Sequence, residues 1–240
     1  MTDIEQLREK VAQACRIIGK LDLTKAATGH ISARVPGTDH VLIRARGPGE
    51  SGVRFTTADD IIMVDLDGKK LDGAADLDVP QEVYIHTGLY RLRPDIGAVL
   101  HAHPPTVVLF TICNKPLLPL YGAYDPSSVR LLLEGVPTYP RSVTVSTEAL
   151  GKEFAASMPG RASMMRGHGI TTCGASVEEA TLTAIALNQI AEMNYRAYLL
   201  GDPQPIPEEE LAPYRGVSTS GHSKGTPLWR YYCKLVGEQE

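Results

Sequence analysis

Apolar residues at Ile4, Leu7, Val11, Ala14, Cys15 and Ile18 recur at the spacing of one helix face, and Gly19 ends the run, so a helix is expected over 3–20. The pattern then shortens. "HVLIRARG" (40–47) alternates as a strand does, and "DDIIMVDLDGKKL" (59–71) reads as a strand followed by a turn at Asp67-Gly68. A second helix is expected over 78–95: Asp78 suits an N-cap, Pro80 the first turn and Gln81 the capping box. Val83, Ile85, Leu89 and Leu92 supply its apolar face, and Arg93-Pro94 stops it. "IGAVLHAH" (96–103), bounded by Pro94-Asp95 and Pro104-Pro105, suits a buried strand, and "TVVLFTI" opens a helix after it. "ASMMRGHGITTCG" (162–174) reads as two strands around a Gly-His-Gly turn. The strongest helix signal covers 176–201, with Ser176 and Glu179 as capping box and Gly201 at its end. The tail from about residue 202 is rich in Pro, Gly and Ser and reads as extended, with an aromatic "WRYY" that must pack somewhere. Strands and helices mix without a strict βαβ rhythm. This predicts an α/β fold with a central, mainly antiparallel mixed sheet flanked by helices.

Composition narrows the function classes. The 240 residues are 43% hydrophobic and 22% charged with a net charge of −4, and no linker breaks the pattern, so 1–240 reads as one domain. That balance gives no case for nucleic acid or an anionic membrane as partner. No apolar run approaches the roughly 20 residues that span a bilayer, and the N-terminus has neither signal-peptide nor transit-peptide character. Cys15, Cys113, Cys173 and Cys233 lie far apart with no CxxC pair, which predicts reduced thiols and a cytoplasmic location.

The chemistry concentrates in the histidines. Residues i and i+2 of a strand share a face, so His101 and His103 are expected side by side. They are either two hydrogen-bonded core residues or half of a metal site. Placing two imidazoles on one apolar strand is costly unless both are satisfied, which favours the metal. His168, between two glycines, offers a third ligand from a loop tip. Glu82 offers a fourth, with His86 one helical turn further on. His30, His40 and His222 have no partner visible in the sequence.

Together, "TGHISAR" (28–34), "VPQEVYIH" (79–86), "HAHPP" (101–105) and "RGHG" (166–169) resemble the class II aldolase/adducin family over roughly residues 3–200. The resemblance implies a three-layer α/β/α domain, a homotetramer with active sites at subunit interfaces, and one divalent metal ion per subunit. It matches His101, His103 and His168 to the family's metal ligands, and Glu82 to a glutamate that ligates the metal or acts as acid and base. Three imidazoles and a carboxylate do not choose among Zn, Mn, Fe and Co.

The departures bear on the substrate. Family members acting on sugar phosphates hold the phosphate with a Gly-Asn pair, a Thr/Ser-Gly turn and a Ser-Ser pair. Here these read Gly29-His30, "RARGPGESG" (44–52) and Pro80-Gln81. Replacing all three argues against a phosphate, because such a cradle depends on several donors acting together. His30, Arg34, Arg44 and Arg46 stand in the same region, and an arginine fork suits a carboxylate. "GHxSxR", and more weakly "LPLYGAYDPSSVRLLLEGVPTYPRS" (118–142), resemble the branch that decarboxylates hydroxylated aromatic acids. The expectation is a metal-dependent, non-oxidative decarboxylase of an ortho-hydroxy aromatic dicarboxylic acid. Glu82 is its proton shuttle, His30 a second acid/base or hydrogen-bonding group, and Arg46, with Arg44, Arg34 and Gly29, the substrate anchor. The runner-up is a sugar-phosphate aldolase or epimerase, and further behind stands a non-catalytic interaction domain like the adducin head.

Overall fold

A computed structural model describes residues 2–120, 125–215 and 227–238. Helix α1 (Asp3–Lys20) begins at Thr2, whose side chain accepts from the Glu5 amide while Glu5 reaches back to the Thr2 amide, closing a capping box. Strands β1 (His30–Arg34), β2 (Val41–Arg44), β3 (Ile61–Val64) and β4 (Lys70–Asp72) follow, then helix α2 (Val83–Leu92) and strand β5 (Ala98–Ala102). Helices α3 (Pro105–Cys113) and α4 (Pro126–Glu134), strand β6 (Thr138–Tyr139) and helix α5 (Glu148–Ser157) lead to strands β7 (Ala162–Met165) and β8 (Gly169–Gly174). Helix α6 (Val177–Leu200) is capped by Ser176, and α7 (Pro227–Leu235) closes the described chain.

The described strands form one eight-stranded sheet in the order β4-β3-β2-β1-β5-β8-β7-β6, antiparallel except for the β6–β7 pair. Alternation along each strand divides the core into two layers. Leu42, Ile31, Leu100 and Ile170 face a cluster that holds Val11, Cys15 and Ile18 of α1 with Leu187 and Ile190 of α6. Ile43, Val99, Met165 and Cys173 face the opposite cluster, with Val83, Ile85 and Leu89 of α2 and Phe154 of α5. The fold is therefore α/β/α in three layers. No helix among the described residues is long and apolar enough to cross a membrane.

Two expected elements need correction. The helix placed over 78–95 starts only after Glu82, because Asp78 exchanges backbone hydrogen bonds with Arg46 and so extends the sheet instead of capping a helix. Nor is the tail extended throughout. Its aromatics lie on α7, where Trp229 and Tyr232 are buried against the α1–α6 layer, and Lys10 stacks over the Trp229 ring at 5.3 Å. Both rings thus pack within this chain, while Tyr231 is exposed and His222 lies outside the described residues.

Candidate metal centre

Register across three central strands builds one wall of the site. His30 of β1 pairs with His101 of β5, and His101 pairs with Thr171 of β8, so the three side chains form a row on the α2 face of the sheet. The Thr171 hydroxyl lies 3.3 Å from His101 Nδ1, leaving Nε2 for the site. β5 ends at Ala102, so His103 reaches the cluster from the loop before α3 and not from the strand itself. Its Nε2 is 2.9 Å from that of His101.

His168 sits in the β7–β8 turn. Gly167 takes φ +61°, and its amide donates to the Thr111 hydroxyl at 2.9 Å, while Ser142 Oγ donates to the Arg166 carbonyl at 2.9 Å. Close packing at Gly169 fixes the turn against the loop that carries His103: a Cβ there would meet the Ala102 carbonyl and stand 2.7 Å from the His103 ring. Glu82 occupies the N-cap position of α2, yet its carboxylate makes no capping bond. One oxygen accepts from the Val145 amide at 2.9 Å, and the other lies 3.4 Å from His101 Nε2 and 3.3 Å from His168 Nε2.

The ligand atoms of Glu82, His101, His103 and His168 all lie within 4.8 Å of one another. A tetrahedral ion with bonds of about 2.1 Å needs ligand atoms about 3.4 Å apart, and the observed spacings bracket that value. The donor set fits a divalent cation. Burial pushes His101 down and, helped by the charges of His101 and His168, takes His103 to about 3, so both imidazoles are neutral as ligands must be. Burial alone would raise Glu82, but its hydrogen bonds to His101 and His168 prevail and hold the carboxyl far below the usual range. The same carboxylate raises His168 against its own burial.

The remaining expected residues scatter. His86 does not join the cluster; it turns toward β1, where its Nε2 lies 2.6 Å from His30 Nδ1 and its Nδ1 lies 2.6 Å from Ser32 Oγ, itself 2.8 Å from the Tyr90 hydroxyl. This buried chain, His30–His86–Ser32–Tyr90, was not anticipated. Its signal lay in His30 and Ser32 sharing one strand face, and in His86 and Tyr90 one turn apart on a helix. Arg44, expected to hold substrate, projects to the opposite, α1 face and is 1% exposed. It donates to Thr56, to the Ala27 and Gly29 carbonyls and to Glu50, and so braces the fold. Arg34 lies at the far end of β1, bonded to the Tyr90 and Ile96 carbonyls and stacked on the Tyr90 ring. The Gly29 carbonyl accepts from both Arg44 and Arg46, and its φ of +75° packs against Thr24. Among the described residues the Arg46 guanidinium, on a side chain 25% exposed, makes only long contacts of 3.4 Å to Glu50 and Gly29, and its charge is felt at His30 and His103.

Residues 9–195 match the family profile described as Class II Aldolase and Adducin N-terminal domain. The chain belongs to the class II aldolase/adducin family. It is 38% identical over 231 residues to 3,4-dihydroxyphthalate decarboxylase from Arthrobacter keyseri, covering 93% of this chain and 91% of that protein. It is 40% identical over 198 residues to the enzyme of the same name from Rhodococcus jostii, covering 80% and 81%. Among solved structures, L-fuculose 1-phosphate aldolase from Glaciozyma antarctica superposes with a TM-score of 0.82 at 21% identity, covering 100% of this chain and 94% of its own. That last likeness carries the fold alone.

Proposed function

We propose that this chain is a divalent-metal-dependent, non-oxidative decarboxylase of an ortho-hydroxy aromatic dicarboxylic acid of the 3,4-dihydroxyphthalate kind. The observation that carries the reading is identity of 38% over 93% of the chain and 40% over 80% of it to two proteins of that name. The three-histidine, one-carboxylate cluster supports it chemically. His101, His103, His168 and Glu82 would hold the ion, which when bound would supply Lewis-acid polarisation of the substrate's phenolic and carboxylate oxygens. Arg46, the arginine beside the cluster with donors not committed to short bonds, anchors the carboxylate that is retained. Glu82 moves the proton, and His30 is a second acid/base or hydrogen-bonding group. A proton added at the ring carbon gives a ketone-like intermediate, and loss of CO2 then returns the bonding electrons to the ring, replacing the carboxylate by hydrogen. A homotetramer in the cytoplasm, serving aromatic catabolism, completes the reading, as does a single domain over 1–240.

A class II aldolase or epimerase acting on a sugar phosphate is the second reading, consistent with the family to which the chain belongs. Against it stands the 44–52 segment, where Glu50 neutralises Arg44 and leaves a region poorly made for a dianion. The discriminating assay offers metal-loaded protein 3,4-dihydroxyphthalate and, separately, fuculose 1-phosphate. Metal-dependent CO2 release with no aldehyde supports the decarboxylase; aldehyde release without CO2 overturns it.

A further inference from the structure

The His30–His86–Ser32–Tyr90 chain has a direction. Among the described residues the Tyr90 hydroxyl has one acceptor, Ser32 Oγ at 2.8 Å, so Tyr90 donates there. Were His86 Nδ1 to donate to Ser32 Oγ at 2.6 Å, the Ser32 proton would be left with the Val99 carbonyl at 3.4 Å, so donation from Ser32 to His86 Nδ1 is the better-paired arrangement. His86 Nδ1 therefore accepts, its own proton sits on Nε2, and Nε2–H donates to His30 Nδ1 at 2.6 Å. The four side chains are buried, so no water competes for these contacts.

We propose that His86, set by Ser32 and Tyr90, is a positioning residue that fixes His30 as the neutral Nε2–H tautomer. That makes Nε2 the donor edge of His30, whose ring centre lies 5.2 Å from that of His101. His30 is thereby a donor to an oxygen of the bound substrate, suited to charge building on a phenolic oxygen, rather than a base that removes a proton. The effect on catalysis rests on the decarboxylase reading; the tautomer does not.

The test has two arms that fail separately. In protein with 15N-labelled histidine, loaded with zinc as a diamagnetic ion and assigned with a His30→Asn variant, His30 is expected to show a protonated, pyrrole-type Nε2 and a pyridine-type Nδ1. The reverse assignment overturns the proposal, whatever the enzyme's substrate. For catalysis, His86→Gln keeps an N–H where Nε2–H stood, and His86→Phe removes it. CO2 release from 3,4-dihydroxyphthalate is expected to keep kcat within about tenfold in His86→Gln and to lose about 10²-fold in His86→Phe, the usual range when one donor to developing negative charge is misplaced. KM and bound zinc should stay unchanged in both. Equal loss in the two variants, or loss that follows zinc content, overturns the positioning role. If native protein releases no CO2, the decarboxylase reading fails, and the NMR arm alone still decides the tautomer.

Discussion

Arg44 and Arg46 stand two positions apart and share Glu50, yet they predict opposite phenotypes. Arg44→Met removes the donor from four partners, Thr56, the Ala27 and Gly29 carbonyls and Glu50, and leaves Glu50 only its longer contact to Arg46. It should cost roughly 3–5 kcal/mol, read as a lowered denaturation midpoint with the kinetics of the surviving folded enzyme little changed. Arg46→Met touches only long contacts and should leave the midpoint within about 0.5 kcal/mol. Its KM for the dicarboxylate should rise at least tenfold with kcat altered less, as expected when a binding contact is removed uniformly. Glu82→Gln keeps the acceptor for the Val145 amide but loses the charge facing His101 and His168. Bound metal, measured after dialysis, should fall, and activity with it.

At the scale of elements, the ligands come from separate pieces that converge through packing: the start of α2, the end of β5, the loop into α3 and the β7–β8 turn. Gly169 is where two of these meet, so Gly169→Ala should push the His103 loop away and yield folded protein with less metal, checked by elemental analysis beside circular dichroism. Much of this was legible locally. The His101–Ala102–His103 spacing, the glycines around His168 and the acid ahead of α2 are short-range signals that survive without tertiary context. What failed was long-range. Asp78 has the residue type of a helix cap, but a strand partner 32 residues earlier claims its backbone. Arg44 is expected at the substrate because alternation alone does not say that α1 covers its face of the sheet. His86 was read toward Glu82, one turn away, when β1 offered it shorter partners.

For the whole molecule, the buried imidazoles make the metal-free protein sensitive to acid. His86 and His103 are depressed to about 3 from 6.5, so between those values the unfolded chain binds more protons than the native one. Stability is therefore full above pH 6.5 and lost as the pH falls toward 3, with the depressed Glu82 adding to the loss below its ordinary range. His168, raised by Glu82, works the other way and only partly offsets it. Thermal scans of chelated protein should show a lower midpoint at pH 5 than at pH 7. Metal at about a thousand times its Kd should then stabilise the neutral protein by roughly 4 kcal/mol. The central claim joins the cluster to one reaction, and its most direct measurement is CO2 release from 3,4-dihydroxyphthalate by metal-loaded, chelated and reconstituted protein. The account predicts release that disappears with the ion and returns with it; full activity in protein shown by elemental analysis to hold no metal would contradict it.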